Sequence, residues 1–513
     1  MTALNNTTLP DIAGRIPVPT YDRTDIRAGI IHIGVGGFHR SHQAMYIDRL
    51  LQMGQASQWG IIGIGLLPTD RPMHDVLKAQ DGLYTLVLKH PDGTLEPRII
   101  GSIINYLLLA DDPEAVLQAM TAPSIKIVSL TVTEGGYNID HTRGIFNIAD
   151  PVVTHDLQPD VLPQSLFGVI VEALARRRAR GIPAFTVMSC DNIQGNGDTA
   201  RRVIASYASV KDPELANWIQ AVVSFPNSMV DRITPVTTDR DRQQITDRFG
   251  LEDGWPVVCE PFTQWVLEDN FTAGRPPYEN VGVQLVDDVE PYELMKLRLL
   301  NASHQGLCYF GHLAGYTYAH QAAQDPFFSN FLLAYMDREA TPSLGPVPGI
   351  DLNAYKHQLI ERFRNSEVRD TIARLCAESS DRIPKWLLPV IRHNLATGGS
   401  IIFSAAIVAS WARYAEGTDE NGDPILIVDR MKETLMDLAQ QQLSRPLAFL
   451  QNQEVFGNLA DNPRFAAAYL ASLTALHTDG AQATLKKLAQ SVDDQMFGPS
   501  PLRWTPKRDC RSS

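Results

Sequence analysis

The pattern of apolar and polar positions divides the chain into two halves. In the first, short apolar runs alternate with stretches of helical spacing. Gly29 to Ile33 is an apolar run, and Ser41 to Met53 follows with Ala44, Ile47, Leu50 and Leu51 on a helical period. Gly60 to Ile64 is a second run, and Ile125 to Thr131 is rich in β-formers. Ser165 to Arg180 reads as a helix stopped by Gly181 and Pro183, and Ala184 to Met188 as a further strand. This order predicts a parallel sheet with crossover helices. From about Pro291 onward the pattern is mostly helical, with predicted helices at Tyr292 to His312, Leu352 to Phe363, Pro384 to Leu395, Ile401 to Tyr414 and Arg464 to Leu476. Turn-rich segments at 341–351 and 416–424 separate them. No internal repeat is visible. The prediction is an α/β chain with a parallel-sheet domain at 1–288 and a mostly α-helical domain at 289–513. The polar tail WTPKRDCRSS is expected to fray.

The first strand runs into IHIGVGGFHRSH at 31–42. Gly34 and Gly36 permit a tight turn and close approach of a pyrophosphate, and a helix beginning near Ser41 would offer unbonded N–H groups and a positive dipole end. The match to GxGxxG is imperfect, because His39 stands where the third glycine is expected. A plain β–α turn would also use glycines. The strand–turn–helix context favours a Rossmann-like dinucleotide site. After the second strand, Asp70 is the candidate to bind the adenosine ribose hydroxyls and repel a 2′-phosphate. Asp70 would serve equally as a helix N-cap, and the adjacent Arg71 would tolerate a phosphate.

The segment 291–312 places Lys296, Asn301 and His304 in an otherwise apolar helical run. At about 100° per residue the three fall within an arc of roughly 140°, so they can face one cavity. An apolar setting disfavours the ammonium form and makes Lys296 a candidate general base. Asn301 can donate to a developing oxyanion, and His304 can orient substrate hydroxyls. A partly exposed helix with a snorkelling lysine and a satisfied core histidine would give the same pattern. Asp191 and Asn192 follow the strand Ala184 to Met188, at the carboxyl end where open α/β sheets bind ligands, though Asn and Asp are also common in turns. Asp231 and Arg232 lie between apolar residues and read equally as a buried ion pair. Glu134, in TEGGY at 133–137, would sit near a nicotinamide or in solvent. RRRAR at 176–180 ends a helix and reads as a solvated basic face.

Composition narrows the partners. The 513 residues carry a formal net charge of -13, which disfavours a general nucleic-acid binder. The five cysteines, Cys190, Cys259, Cys308, Cys376 and Cys510, lie far apart with no zinc-ligand spacing. No metal is expected, and a reducing compartment is. The N-terminus lacks the basic and apolar regions of a signal peptide. IIFSAAIVASWA at 401–412 is shorter than the roughly 20 residues of a membrane span and reads as a buried core helix. A soluble, cytoplasmic protein is expected, with no nucleic-acid or membrane partner.

Several separated strings then carry a resemblance. GVGGFHRSHQA, SLTVTEGGY, FTVMSCDN, FPNSMVDRITP and the pattern Lys296-x4-Asn301-x2-His304 resemble the polyol-specific long-chain dehydrogenases, the bacterial mannitol 2-dehydrogenase group in particular. The resemblance runs from about Ile31 to Leu485. It implies a nucleotide-binding domain followed by a helical domain, a largely monomeric enzyme, and NAD-dependent, zinc-free oxidation of a secondary alcohol on a polyol, D-mannitol to D-fructose in the first instance. It implies that Lys296 is the general base, that Asn192 and Asn301 hold the reacting oxygen, and that His304 orients substrate. Asp231 and Arg374 would contact the substrate chain, with Arg382 and Lys385 at the far end of the pocket, and Glu293 would gate a proton channel. Gly34, Gly36, Gly37, Phe38, Arg40, Asp70 and Glu134 would line the cofactor.

Two departures from the family pattern stand out. Arg382 replaces a lysine common in relatives, while Lys385 is retained. Thr69 precedes Asp70 where relatives often carry two acids, which leaves room for NADP beside NAD. D-Arabinitol dehydrogenase and fructuronate or tagaturonate reductase remain alternatives. A uronate would want a bidentate cation, which Arg374 or Arg382 would supply. A non-catalytic NAD(H) sensor is the reading from another class, and retention of Lys296, both asparagines and His304 argues against it.

Overall fold

The computed structural model describes residues 1–140 and 145–496. The predicted polar tail and Cys510 lie outside the described residues. The chain forms two compact units, Met1–Glu293 and Leu294–Ser513.

The longer strands of the first unit are β1 (Ala28–Ile33), β2 (Gly60–Gly65), β3 (Tyr84–Lys89), β4 (Leu95–Ile100), β5 (Ile103–Leu108), β6 (Ile127–Leu130), β7 (Thr186–Ser189), β8 (Ser228–Asp231), β9 (Val257–Cys259), β10 (Gln264–Glu268) and β11 (Gln284–Val286). Five of them form a parallel sheet in the order β7-β6-β1-β2-β5. Ile31 of β1 stands opposite Ile62 on one side and Val128 on the other. The chain builds outward from β1 to β5, then crosses back to place β6 on the other side of β1. That reversal is the switch point at which such sheets open a crevice.

Both faces of this sheet are covered, which is why its strands read as continuous apolar runs rather than alternating ones. Ile31, Ile33, Val128 and Leu130 pack into one core with α4 (Pro113–Thr121), α5 (Leu166–Ala179), α6 (Asn196–Lys211) and α7 (Pro213–Val222). Ile30, Ile61 and Ile127 point the other way, into a second core with α2 (Gln43–Gln52), α3 (Arg71–Ala79) and the smaller sheets. Each fully buried aliphatic side chain contributes roughly 1.5–3 kcal/mol. Local signals set the helix starts. Ser165 caps α5 by accepting from Gly168 N–H at 2.9 Å, and Asp112 caps α4 ahead of Pro113.

Two features depart from the sequence reading. The first is a hairpin, β3–β4, to which β9 adds in parallel. Its reversal at Asp92–Gly93, with Gly93 at φ +82, is an Asp-Gly turn that the apolar pattern alone did not flag. The second is the basic run at 176–180, which is a solvated face only in part: Arg178 and Arg180 are exposed, whereas Arg176 and Arg177 are engaged. Arg176 pairs with Glu114 and Glu172. Arg177 is 1% exposed, and its guanidinium donates to the carbonyls of Pro183, Met120, Ala122 and Ile125 at 2.7–3.0 Å. Burial pulls its pKa down to about 10, so it stays charged at neutral pH.

The second unit is helical. α8 (Glu290–Met295), which begins in the first unit, leads into a π-helical turn, Lys296–Asn301, and then α9 (Ala302–Leu313). The later helices include α10 (Pro326–Tyr335), α11 (Leu352–Phe363), α12 (Ile372–Cys376), α13 (Ser379–Trp386), α14 (Leu388–Thr397), α15 (Ile402–Ala415) and α16 (Pro463–Met496). The helix expected over Pro384 to Leu395 is two helices meeting at Leu387. Pro384 lies inside the first, and Pro389 sits in the opening turn of the second, where its missing N–H costs nothing. α16 runs well past the predicted end and kinks at Gly480 (φ 81, ψ 171). α15 is buried as expected and packs closely on α9. A Cβ on Gly306 would lie 3.0 Å from Ile407 Cδ1. Among the described residues, no helix is long and apolar enough to cross a membrane.

Candidate active site

The cofactor side is built on the first unit. Gly34 has φ +91, and a Cβ there would stand 2.2 Å from the Thr131 carbonyl oxygen. Only glycine allows β1 to turn this close to the end of β6. At Gly36 the nearest atom to an added Cβ would be 3.8 Å away, so the backbone is open to a ligand on that side. Gly37, Phe38 and Arg40 belong to α1 (Gly37–Ser41), which begins four residues earlier than expected and breaks at His42 (φ -121, ψ -92). The His42 ring is drawn to the Gln264 carbonyl at 3.0 Å, which separates α1 from α2. Arg40 is 2% exposed, donates to the Trp255 carbonyl and lies over the Tyr84 ring. That placement suits an anchor of the turn better than a phosphate contact.

His39 explains the broken fingerprint. Its ring stacks on His32 of β1, with centroids 3.3 Å apart and planes 10° from parallel. A flat pair thus fills the space that a third glycine would otherwise leave for helix–strand packing. His32 also bonds Ser129 Oγ at 2.8 Å and Thr131 Oγ1 at 2.9 Å, and Thr131 Oγ1 donates to the Gly34 carbonyl at 2.7 Å. Burial holds both imidazoles well below their ordinary pKa, His32 to about 3, so they stay neutral.

Asp70 lies at the carboxyl end of β2, packed against Gly65, where a Cβ would stand 3.0 Å from Asp70 Cβ. It does not cap α3 through its side chain. Its Oδ2 instead accepts from Leu67 N–H at 2.9 Å. Arg71 is engaged by Asp111 through both terminal nitrogens. The open glycine backbone at the switch point and the carboxylate after the second strand fit NAD.

The loops after β6 and β7 are joined below the surface. Asp191 is 5% exposed, and its carboxylate accepts from Thr133 N–H and Tyr137 O–H, both at 2.7 Å. Tyr137 also bonds Ser189 Oγ at 2.6 Å. Burial pushes the Asp191 carboxyl above its usual value, and the Tyr137 and Thr133 bonds pull it back. Asn196 fixes the same region to β8 by donating to the carbonyls of Asp191 and Ser228. Sequence reasoning missed His32, Tyr137 and Asn196, each of which has a partner tens of residues away: Ser129, Asp191 and Ser228. Glu134 and Asn192 are exposed on these two loops. Asp231, at the end of β8, is buried. The Arg232 guanidinium beside it is held by the carbonyls of Ser41, Glu260 and Pro261. Both Glu293 oxygens accept from Gly195 N–H at 3.2 Å, so this buried carboxylate sits at the N-terminus of α6.

The second unit holds the lysine cluster. Lys296, Asn301 and His304 are 7%, 7% and 8% exposed. The expectation of a continuous α-helix fails here. In an α-helix, residues five apart point about 140° away from each other. The π turn bonds i to i+5, takes up one extra residue and brings Lys296 and Asn301 much nearer to alignment. Asn301 Oδ1 is buried and has no hydrogen-bond partner among the described residues. Such an orphan costs about 1–3 kcal/mol and is a group that a ligand hydroxyl would satisfy. The His304 ring packs against Phe363 of α11, centroids 4.5 Å apart.

The remaining cations are arranged differently. Arg374 is exposed on α12, and Asp370 occupies its fork through Nε and Nη2 at 2.6 and 2.5 Å. Arg382 donates to the carbonyls of Arg374 and Leu375 and lies over Trp386. Lys385 is exposed on α13. Among the described residues, no group of three or more His, Cys, Asp or Glu side chains is gathered as metal ligands are.

The strand order, glycine turn and acid after the second strand define a Rossmann-type nucleotide-binding protein with a helical second unit. Residues 28–280 match the mannitol dehydrogenase Rossmann domain, and residues 288–477 the mannitol dehydrogenase C-terminal domain. The chain belongs to the mannitol dehydrogenase family. It is 43% identical over 494 residues to mannitol dehydrogenase 2 of Saccharomyces cerevisiae, covering 96% of this chain and 98% of that one. It is 43% identical over 478 residues to mannitol 2-dehydrogenase of Phaeosphaeria nodorum, covering 92% and 84%. The structure resembles Pseudomonas fluorescens mannitol 2-dehydrogenase in ternary complex with NAD and D-mannitol, with TM-score 0.86, 46% identity, and coverage of 95% of this chain and 100% of that one. It also resembles a substrate-free D-sorbitol dehydrogenase, with TM-score 0.87, 36% identity, and coverage of 94% and 100%.

Proposed function

We propose that this chain is an NAD-dependent polyol dehydrogenase that interconverts D-mannitol and D-fructose. The observation that carries the reading is its 46% identity, over the full length of that chain, to an enzyme solved with NAD and D-mannitol. When bound, NAD supplies the hydride acceptor. The residues supply the rest. Lys296 takes the proton of the alcohol as its carbon is oxidised, with no metal ion required. Asn192 and Asn301 hold the reacting oxygen through their amides. His304 orients the neighbouring hydroxyls, and Asp231, Arg374, Arg382 and Lys385 contact the rest of the substrate chain. Glu293 gates the path by which the lysine's proton reaches water. Gly34, Gly36, Gly37 and Phe38 form the turn under the pyrophosphate, Arg40 anchors it from below, and Glu134 borders the nicotinamide end.

The engagement of Arg374 by Asp370 argues against a uronate substrate, whose carboxylate would compete for an occupied fork. The reading includes a monomeric, cytoplasmic enzyme, which size-exclusion chromatography and fractionation would test. The deciding assay is NADH formation with D-mannitol, D-sorbitol and D-arabinitol, with and without a chelator. Strong turnover on D-mannitol that withstands chelation is the expected result. Turnover only on D-fructuronate, in the reducing direction, would overturn the substrate assignment.

A second expectation concerns the cofactor. Asp70→Ser should cut the preference for NAD over NADP by about tenfold or more, since a carboxylate beside a 2′-phosphate is repulsive and tenfold is about 1.4 kcal/mol. The ratio of kcat/KM for the two cofactors reads this directly. An unchanged ratio would remove Asp70 from the cofactor site.

A further inference from the structure

Thr133 has φ +63 and ψ 171. That region is essentially reserved for glycine, and a β-branched residue there is a true outlier. The residue follows β6 at the switch-point crevice. Thr131, two residues before it, lies against Gly34. What holds the strained residue is buried beneath it. Its N–H donates to Asp191 Oδ1, the other Asp191 oxygen takes the Tyr137 hydroxyl, and Tyr137 is tied in turn to Ser189 of β7. Tyr137 is 1% exposed, so this anchor belongs to the core. The sequence offers glycines at the next two positions but one, Gly135 and Gly136, yet sets a threonine where the geometry asks for glycine.

Asp191 bonds in this way to the backbone of one crevice loop while its own chain continues directly into Asn192 on the other. A carboxylate of this kind is a bolt between the loops after β6 and β7. Strain persists only where surrounding structure over-determines it, and it gathers at sites that must be preorganised. We infer that Thr133 and Asp191 form a positioning device that fixes the nicotinamide end of the crevice, with Thr133 held in a glycine conformation so that the loop cannot relax. Neither residue touches the reacting atoms. The inference rests on the NAD-dependent reading given above.

Thr133→Gly separates this role from a merely structural one. Glycine relieves the strain, so Tm should stay level or rise by a few degrees. The same change loosens the loop, so NADH affinity and kcat on D-mannitol should each fall by about tenfold, since small misplacements cost up to about 10²-fold. Asp191→Ala should lower Tm and show the same kinetic losses. Asp191→Asn keeps an acceptor for Thr133 N–H and should recover most of them. NADH dissociation constants by fluorescence, steady-state kinetics and thermal melts provide the readouts. A Thr133→Gly enzyme with wild-type NADH affinity and kcat would overturn the inference. A wild-type protein that binds no NADH would instead strike the functional reading, and the two failures are told apart by that control.

Discussion

Lys296→Ala is expected to lower turnover by about 10²–10⁴-fold while NADH binding survives. The lysine opens the π turn and is buried, as are Leu297, Leu299 and Leu300 after it. Truncation leaves Asn301 and His304 in place but removes the group that takes the alcohol's proton. Single-turnover absorbance at saturating cofactor isolates the chemical step, and fluorescence titration reports NADH binding separately. Small primary amines added in solution should restore part of the rate, in proportion to their basicity and fit to the vacated volume. Lys296→Ala turning over near the wild-type rate would sink the general-base assignment. Loss of NADH binding along with turnover would show that the lysine supports the fold instead.

The second large effect is on stability. Arg177→Ala should destabilise the first unit by about 3–5 kcal/mol, the scale of removing one partner from a buried charged network. Four carbonyls from Met120, Ala122, Ile125 and Pro183 lose their common donor. A drop in Tm on the order of 10 °C should follow. Arg177→Lys should fall in between, because an ammonium cannot reproduce the flat fork. Differential scanning calorimetry would check both, and a change under about 1 kcal/mol would mean that water replaces the lost donors. Protein that remains folded should keep its kcat, since the partners of Arg177, namely Met120, Ala122, Ile125, Pro183 and Phe185, are not site residues.

Arg177 also shows where sequence reading stops. Three arginines at the end of a helix carry the same local signal whether they meet solvent or carbonyls, and the carbonyls here arrive from segments up to 57 residues away. The strands β1, β2, β6 and β7 were legible because both faces of their sheet are covered, so each is mostly apolar and reads as a run rather than an alternation. The helix Leu352–Phe363 matched its prediction residue for residue because Asp351 caps it and its apolar spacing is regular. The β3–β4 hairpin needed its Asp-Gly turn to be weighed. His39 was seen as a defect in a glycine fingerprint, and only its stacking partner His32, seven residues earlier in sequence, turns it into a packing solution. The lysine cluster was legible by composition. Its geometry was not, since a change from α to π hydrogen bonding leaves no mark on residue type.

That π turn makes the lysine cluster sensitive to hydrogen-bond register as well as to chemistry. A helix that takes up one surplus residue in a wide turn keeps its two flanking segments near the phase they would have without that residue. Were the same residues to close as ordinary α-helix, no side chain would be lost, yet Lys296 would stand about 140° from Asn301 about the helix axis. Deleting a single leucine between them would instead leave the two four residues apart, about 40° from alignment in an α-helix. The surplus residue therefore disturbs the phase of the cluster only if the wide turn is lost.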